Sequence, residues 1–499
     1  MDRTLGSKRL IYLHRNKTSK GGYMSEKKEA QEQEVSLDVL SWHHARYPVL
    51  AQRQENLKKF AGPLTRFIQT ETSSAIVLFL AAVFALLWAN SSWSDQYFDL
   101  LHAHIHVDIG FWELNESVHF WVNDILMVVF FFLVGLEIKR EIVAGELANP
   151  KAVIVPIVAA VGGMVVPALL YFWFNAGGEG LNGWGIPVAT DIAFAIGVLT
   201  LAGSRIPFSL RIMLLAVAVV DDIGGILIIA LFYTEELNLL PLAMAGGTLV
   251  VAYLAQKNGL WYTPLYIALG IFGWVAMHDS GIHPTVIGVA FALLTPWQSW
   301  YSREGFEEGA QQALGKYKES AASLTTAEKE DSEHSGEVGA LIQLHEEATR
   351  ALSPLDRLEH SLQPMVAFGI VPIFAFVNAG VMLSSDVISD AIVSPITLGV
   401  GVGLVLGKPI GILVFTWLAV RLGATLPTGM NYLAVVGVGL LGGIGFTVSL
   451  LIADLSFPES HQILDQAKIG IIVASLLAGL FGFIVLKIAY RGDETYESD

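Results

Sequence analysis

Ile212-Met213-Leu214-Leu215-Ala216-Val217-Ala218-Val219-Val220-Asp221-Asp222-Ile223-Gly224-Gly225-Ile226-Leu227-Ile228-Ile229-Ala230 is an apolar run with two adjacent carboxylates near its middle. About 20 apolar residues suffice to cross a bilayer, and this run is long enough. A carboxylate at that depth costs roughly 3 kcal/mol on insertion scales. Nothing about folding requires two of them there. The pair therefore reads as part of an ion or proton pathway.

The rest of the chain extends this reading. Hydrophobic residues make up 53% of the 499 residues and charged residues 15%, against about 25% charged in ordinary soluble domains. Apolar windows predict twelve spans, at about 71–91, 117–137, 152–174, 186–201, 208–232, 236–255, 260–277, 282–298, 362–384, 394–420, 430–454 and 467–489. The fold class is an all-α polytopic membrane protein with about 12 transmembrane helices. There are no cysteines, which removes disulfides, thiolate metal sites and cysteine nucleophiles. The formal net charge is −16, with the acids clustered outside the spans. That balance argues against nucleic acid as a partner. The first seventy residues lack the apolar stretch of a secretory signal, so the first span is expected to act as the membrane signal. Met24-Ser25-Glu26-Lys27-Lys28 reads as an alternative translation start.

Basic residues set the orientation. Segments 92–116, 175–185, 233–236, 278–281 and 385–393 contain no Lys or Arg. The intervening connections carry Lys139, Arg140 and Lys151, then Arg205 and Arg211, Lys257, Arg303 through Arg357, and Arg421. Lys468 is the lone exception. The positive-inside rule then puts both termini in the cytoplasm. The expected organisation is a polar cytoplasmic tail over 1–66, helices one to eight over 67–298, an acidic cytoplasmic insertion over 299–357, helices nine to twelve over 358–490, and a short tail over 491–499. The insertion contains Glu328-Lys329-Glu330-Asp331-Ser332-Glu333-His334 and reads as solvated, partly helical or disordered. A regulatory domain is the alternative. Segment His104–Leu114 alternates around Gly110 as a β-hairpin would. His102, His104 and His106 would share one strand face, either solvated or holding a metal.

Ionisable residues expected within spans are Asp124, Asp191, Asp221, Asp222 and Lys408, with Glu137 near a span end and Asp454 at an outer end. Adjacent helical residues differ by about 100° around the axis, so Asp221 and Asp222 cannot point the same way. Lys408, in the apolar Gly403–Gly411 stretch, needs a carboxylate partner. Thr190-Asp191 follows Gly185 and Pro187, and Gly442, Gly443 and Gly445 cluster in the eleventh span. Such clusters fit helices interrupted at membrane depth, here the fourth and eleventh spans, the middle members of two inverted three-helix repeats. Small residues used only for close helix packing are the alternative.

The chain resembles the NhaA family of sodium/proton antiporters, itself an example of the inverted-repeat architecture just invoked. The resemblance is carried by Trp121-Val122-Asn123-Asp124, Leu133 to Glu141, Ala189-Thr190-Asp191-Ile192-Ala193-Phe194-Ala195, Val220-Asp221-Asp222-Ile223-Gly224 and Ser280-Gly281-Ile282-His283. It continues through Arg357-Leu358-Glu359-His360, Phe374 to Gly380, Gly407-Lys408-Pro409 and Gly443-Ile444-Gly445-Phe446-Thr447. Together these cover about residues 64–490, omitting the insertion. The resemblance implies that Asp221 and Asp222 bind the transported Na+ and the protons. It places Asp191 and Thr190 beside the crossing of two interrupted helices and pairs Lys408 with Asp221. Glu137, Arg140, Glu141, Glu359 and His360 would line a cytoplasmic funnel that senses pH, with Asp124 and His283 also linked to pH response. It further implies export of Na+ and Li+ for protons, two entering per Na+, regulation by pH, a homodimer, a bacterial inner membrane, and no cofactor. Asp356 stands where the family commonly has a basic residue and Gln363 where a histidine can occur. The insertion is also longer than usual. These departures bear on the pH response and not on transport.

An intramembrane aspartyl protease would also use two membrane carboxylates. Its pair comes from different helices, however, and the second usually follows Gly-x-Gly, whereas Val219-Val220 precedes the pair here. A retinal-type pump would use Lys408 as a Schiff base but has fewer spans.

Overall fold

The computed structural model describes residues 71–491, apart from 109, 111–112, 146–147, 149, 204, 235, 261, 300 and 324–329. The expected 1–66 tail and 492–499 lie outside these residues. The chain opens with α1 (Glu71–Ala89) and a short surface helix α2 (Ser94–His102), followed by strands β1 (His104–Asp108) and β2 (Glu113–Ser117). Helix α3 spans Val118–Val143 and α4 spans Pro150–Asn175. A 3₁₀ segment (Glu179–Val188) leads into α5 (Ile192–Ala202), then α6 (Phe208–Phe232), α7 (Leu239–Lys257), α8 (Thr263–Asp279) and α9 (Thr285–Leu294). Helices α10 (Arg303–Ser323) and α11 (Glu330–Ala351) precede α12 (Pro354–Ala379), α13 (Ser385–Val393) and α14 (Pro395–Arg421). The last elements are α15 (Tyr432–Gly442), α16 (Phe446–Ser456) and α17 (His461–Ala489).

Each of the twelve expected spans overlaps a described helix or helix pair. Among the described residues, eight single helices are long and apolar enough to cross a bilayer, and two further spans are pairs bent at a break by 47° and 49°. The remaining two, α8 with 17 residues and α9 with 10, are shorter. The bent pairs are the 3₁₀ segment with α5 and α15 with α16, the fourth and eleventh spans.

Small residues bring the helices round these breaks together. Gly162 of α4 and Gly411 of α14 face each other so closely that a methyl group on either would overlap the opposing backbone. The same holds for Gly439 of α15 against Pro409, and for Gly443 against the Leu404 carbonyl. Lipid supplies no hydrophobic force between helices, so backbone approach through glycine is how such helices gain contact. Three helices contain π turns: Trp121–Leu126, Val366–Ile370 and Gly403–Gly407. The last two lie immediately ahead of Pro372 and Pro409. Proline lacks an N–H and crowds the preceding turn, and a widened turn relieves both effects.

Several expectations need correction. The fourth span begins at Glu179, inside the segment 175–185 read as a loop, because Gly180, Gly183, Gly185 and Pro187 hide a 3₁₀ helix from helical periodicity. The ninth starts at Pro354 and ends at Ala379 instead of covering 362–384. Ser353 caps it by accepting from Asp356 N–H at 3.0 Å, with Pro354 at the first helical position. The insertion therefore ends near 353, not 357, and Glu359 and His360 sit on a helix. The insertion itself is a helical hairpin. Helices α10 and α11 meet across buried Ala313 and Ala340, and Lys316 Nζ donates to Gln343 Oε1 at 2.9 Å. The β-hairpin forms antiparallel from His104 opposite Ser117 to Asp108 opposite Glu113. His102 closes α2 and is not on the strand. Among the described residues no three His, Cys, Asp or Glu converge as metal ligands would.

Candidate ion-binding site at two crossed helix breaks

The two breaks cross. Ala189 and Asp191 are extended, with ψ of 154° and 99°, and the second break is Gly443-Ile444-Gly445. Asp191 N–H donates to the Ile444 carbonyl at 2.6 Å, tying one break to the other. Each break exposes the end of one helix and the start of another. Unpaired N–H groups and the helix dipole make a start partly positive and an end partly negative.

Asp191 serves both starts. Its Oδ1 accepts from Phe194 N–H at 3.0 Å, capping α5. Its Oδ2 accepts from Thr447 N–H at 3.2 Å and from Thr447 Oγ1 at 2.7 Å, capping α16 on the other span. Polar groups of the opposite character serve the ends. Lys408 Nζ donates to the Val188 carbonyl that closes the 3₁₀ segment. Thr190 Oγ1 lies 2.9 Å from the Gly442 carbonyl that closes α15.

Asp221 and Lys408 are fully buried and paired, with Nζ 3.0 Å from Oδ2. The same oxygen is 2.7 Å from Thr190 Oγ1. The other, Oδ1, is buried without a hydrogen-bond partner among the described residues. A carboxylate oxygen left so in an apolar interior costs free energy unless a proton or cation joins it. Asp222 is 7% exposed and makes no hydrogen bond to another described residue. The roughly 100° between neighbours on α6 turns it away from the Lys408 side. The oxygens gathered here suit a hard cation, which takes oxygen ligands, better than one preferring sulfur or nitrogen.

Two further polar groups occupy opposite ends of α3. Glu137 and Arg140 lie at its basic end, where Arg140 Nη1 is 2.7 Å from Glu359 Oε1 and Nη2 is 3.7 Å from Glu141 Oε1. His360 is exposed beside this cluster and takes no part in an ion pair among the described residues. Asp124, thirteen residues back from Glu137 and so roughly 20 Å away along the helix, faces His283 with Oδ1 3.8 Å from Nε2. Asp124, His283 and Asp454 line a cavity of about 570 Å³ at that other end.

The structure links Thr190, Asp221, Lys408 and Gly442 by direct contacts, ties Asp191 to the second break through Ile444 and Thr447, and places Asp222 next to Asp221 on α6. It keeps Asp124 with His283, and Arg140 with Glu359, in separate groups. Sequence reasoning missed the role of Thr447 as the second residue donating to Asp191, although its place in the first turn after Gly445 leaves its N–H in need of an acceptor. It also missed a buried amide pair. Asn378 Nδ2 donates to Asn123 Oδ1 at 2.7 Å, and Asn123 Nδ2 donates to Asp454 Oδ2 at 2.8 Å. Two asparagines in apolar helices are the signal for such a link.

The sequence model of the family described as Na+/H+ antiporter 1 matches residues 65–486. The chain is 43% identical over 435 residues to the Na(+)/H(+) antiporter NhaA of Sulfurimonas denitrificans, covering 87% of this chain and 97% of that protein. It is 41% identical over 433 residues to Na(+)/H(+) antiporter NhaA 2 of Sorangium cellulosum, covering 87% and 91%. To the Na(+)/H(+) antiporter NhaA of Oleidesulfovibrio alaskensis it is 41% identical over 440 residues, covering 88% and 96%. With its crossed breaks and buried acids, this multi-pass membrane protein belongs to the Na+/H+ antiporter 1 family.

Proposed function

We propose that the chain exports Na+, and also Li+, in exchange for protons across a bacterial inner membrane, with Asp221 and Asp222 as the carriers that both ions share. Sodium/proton antiport as such follows from the family and the named relatives, and it makes the protein a transporter and not an enzyme. The observation that carries the assignment to these residues is the half-satisfied Asp221. Lys408 and Thr190 hold one oxygen while the other lies buried without a partner among the described residues.

The mechanism is competition. Protons on Asp221 and Asp222 cancel the charge that holds Na+. Na+ arriving from the cytoplasm displaces the protons, and protons arriving from outside displace Na+. Asp191 keeps the two helix starts neutralised in both states, so the crossing can turn as a unit during alternating access. Two protons entering per Na+ leaving move one net charge, worth about 2.3 kcal/mol per 100 mV of membrane potential. The Glu137–Arg140–Glu141–Glu359 group with His360, and the Asp124–His283 pair, are the proposed pH-responsive elements. Both termini lie on the cytoplasmic side. The β-hairpin presents an open strand edge to a second copy, giving a homodimer in which each subunit holds a complete site.

The test is dequenching of a pH dye in everted vesicles on addition of Na+, Li+ or K+, with a potential-sensitive dye in parallel. Wild-type protein should respond to Na+ and Li+, with a voltage signal. Asp221→Asn and Asp222→Asn should each insert into the membrane yet lose most or all exchange. Full sodium-driven dequenching by either inserted variant would remove these carboxylates from the mechanism.

A further inference from the structure

We infer that the basic end of α17 holds a binding site for an anionic phospholipid, with the phosphate in a cavity between α17 and the α5–α6 connection. That cavity measures about 560 Å³. Three of its lining residues are cations, Arg205 from the connection and Lys487 and Arg491 from the end of α17, and none is acidic. All three are exposed. None pairs with a carboxylate among the described residues, although Arg140, Arg350 and Lys408 do. Three cations held near one another with no carboxylate paired to them among the described residues repel each other, and an anion between them removes that cost.

The walls say what kind of anion. Phe483, Ile484 and Ile488 line the same cavity as the cations, and Lys487 Nζ sits 4.6 Å over the Phe483 ring. Ile484 and Ile488 also end an exposed apolar stripe on α17 that runs through Val473, Leu477 and Leu480. Fifteen residues of helix from Val473 to Ile488 span about 22 Å, more than one leaflet's half of the about 30 Å hydrocarbon core. A free phosphate would use the cations and leave the stripe idle. A phospholipid uses both, with its headgroup in the cavity and its acyl chains along the stripe. Basic pockets between transmembrane helices take anionic headgroups in this way. Tyr490 is buried beneath the cations and donates to the Gly429 carbonyl at 3.2 Å, which fixes the end of α17 where Arg491 begins. The arrangement uses none of the carboxylates assigned to transport, so it stands or falls apart from that assignment.

The experiment is native mass spectrometry of the purified full chain with phosphatidylglycerol or phosphatidylcholine. The comparison is between wild type, Arg205→Gln/Lys487→Gln/Arg491→Gln, and a control of equal charge change, Lys257→Gln/Lys318→Gln/Arg421→Gln. At roughly fivefold per basic residue near an anionic headgroup, the first triple variant should retain phosphatidylglycerol more than tenfold less well than wild type. The control variant should match wild type, and phosphatidylcholine retention should be the same in all three. The charge-preserving Arg205→Lys/Lys487→Arg/Arg491→Lys variant should restore retention. Equal loss in the control triple would mean diffuse surface attraction and overturn the site. A second arm measures thermal stability with inorganic phosphate alone. Stabilisation equal to that by phosphatidylglycerol would overturn the assignment to a lipid.

Discussion

Asp191 is the residue on which the crossing depends. It accepts from two helix starts at once, and Thr447 supplies two of its three donors. A hydrogen bond to a charged group contributes roughly 1.5–3 kcal/mol. Thr447→Val keeps the size of the side chain but removes the 2.7 Å donor, so it should lower the thermal unfolding midpoint. Thr447→Ser should leave the midpoint near wild type. An unchanged midpoint in Thr447→Val would mean that the hydroxyl does not hold the two breaks together. Lys408 and Asp221 obey the corresponding rule for buried pairs, in which removing one partner strands the other. Which residues were ionisable at membrane depth was legible in the sequence, because charge inside an apolar run stands out. Which of them touch was not. The Thr447–Asp191 contact joins residues 256 apart in the chain, and Asn123 meets Asp454 across 331. No local pattern carries that information.

At the scale of elements, span positions were readable wherever about twenty apolar residues run together. Breaks were readable only where glycines interrupt such a run, as at Gly443 and Gly445. The first break was half hidden, because a 3₁₀ segment rich in Gly and Pro resembles a loop. The start of α12 was misplaced although Ser353-Pro354 announces a capped helix, since its first two turns are polar. The insertion hairpin packs on itself through Ala313 and Ala340, with Glu347 buried between the helices. Its two ends lie together, so residues 305–350 can be removed without stretching the chain. That deletion should leave Na+ selectivity intact and at most shift the pH profile, as read by cation-specific dequenching. A change to K+ preference would make the hairpin part of the selectivity machinery. The β-hairpin has a different role. Its Leu114 is buried against a small cluster with Trp274 and Ile287, while His104 to His106 stay exposed. Deletion of 104–116 should give monomers that still transport. Full retention of dimers in detergent would place the subunit contact elsewhere.

For the whole molecule, the polar groups apart from the crossing gather at the two ends of α3, and Asp454, beside the Asp124 group, belongs to α16, a helix of the crossing itself. Glu137 and Arg140 sit at one end of α3 and Asp124 at the other, while Asp221 pairs with Lys408 and Asp191 ties the two breaks together. Competition for the central carboxylates has one consequence that a pathway with separate sodium and proton sites lacks. In proteoliposomes, initial exchange rates measured against Na+ concentration at a series of pH values report directly on shared binding. Under the proposed competition, lowering the pH fills Asp221 and Asp222 with protons, so more Na+ is needed to displace them. The apparent KM for Na+ should therefore rise as pH falls, by about tenfold per pH unit for each proton displaced, while the maximal rate at saturating Na+ changes far less. A KM that stays constant across the pH range in which exchange runs would contradict a site shared by the two ions.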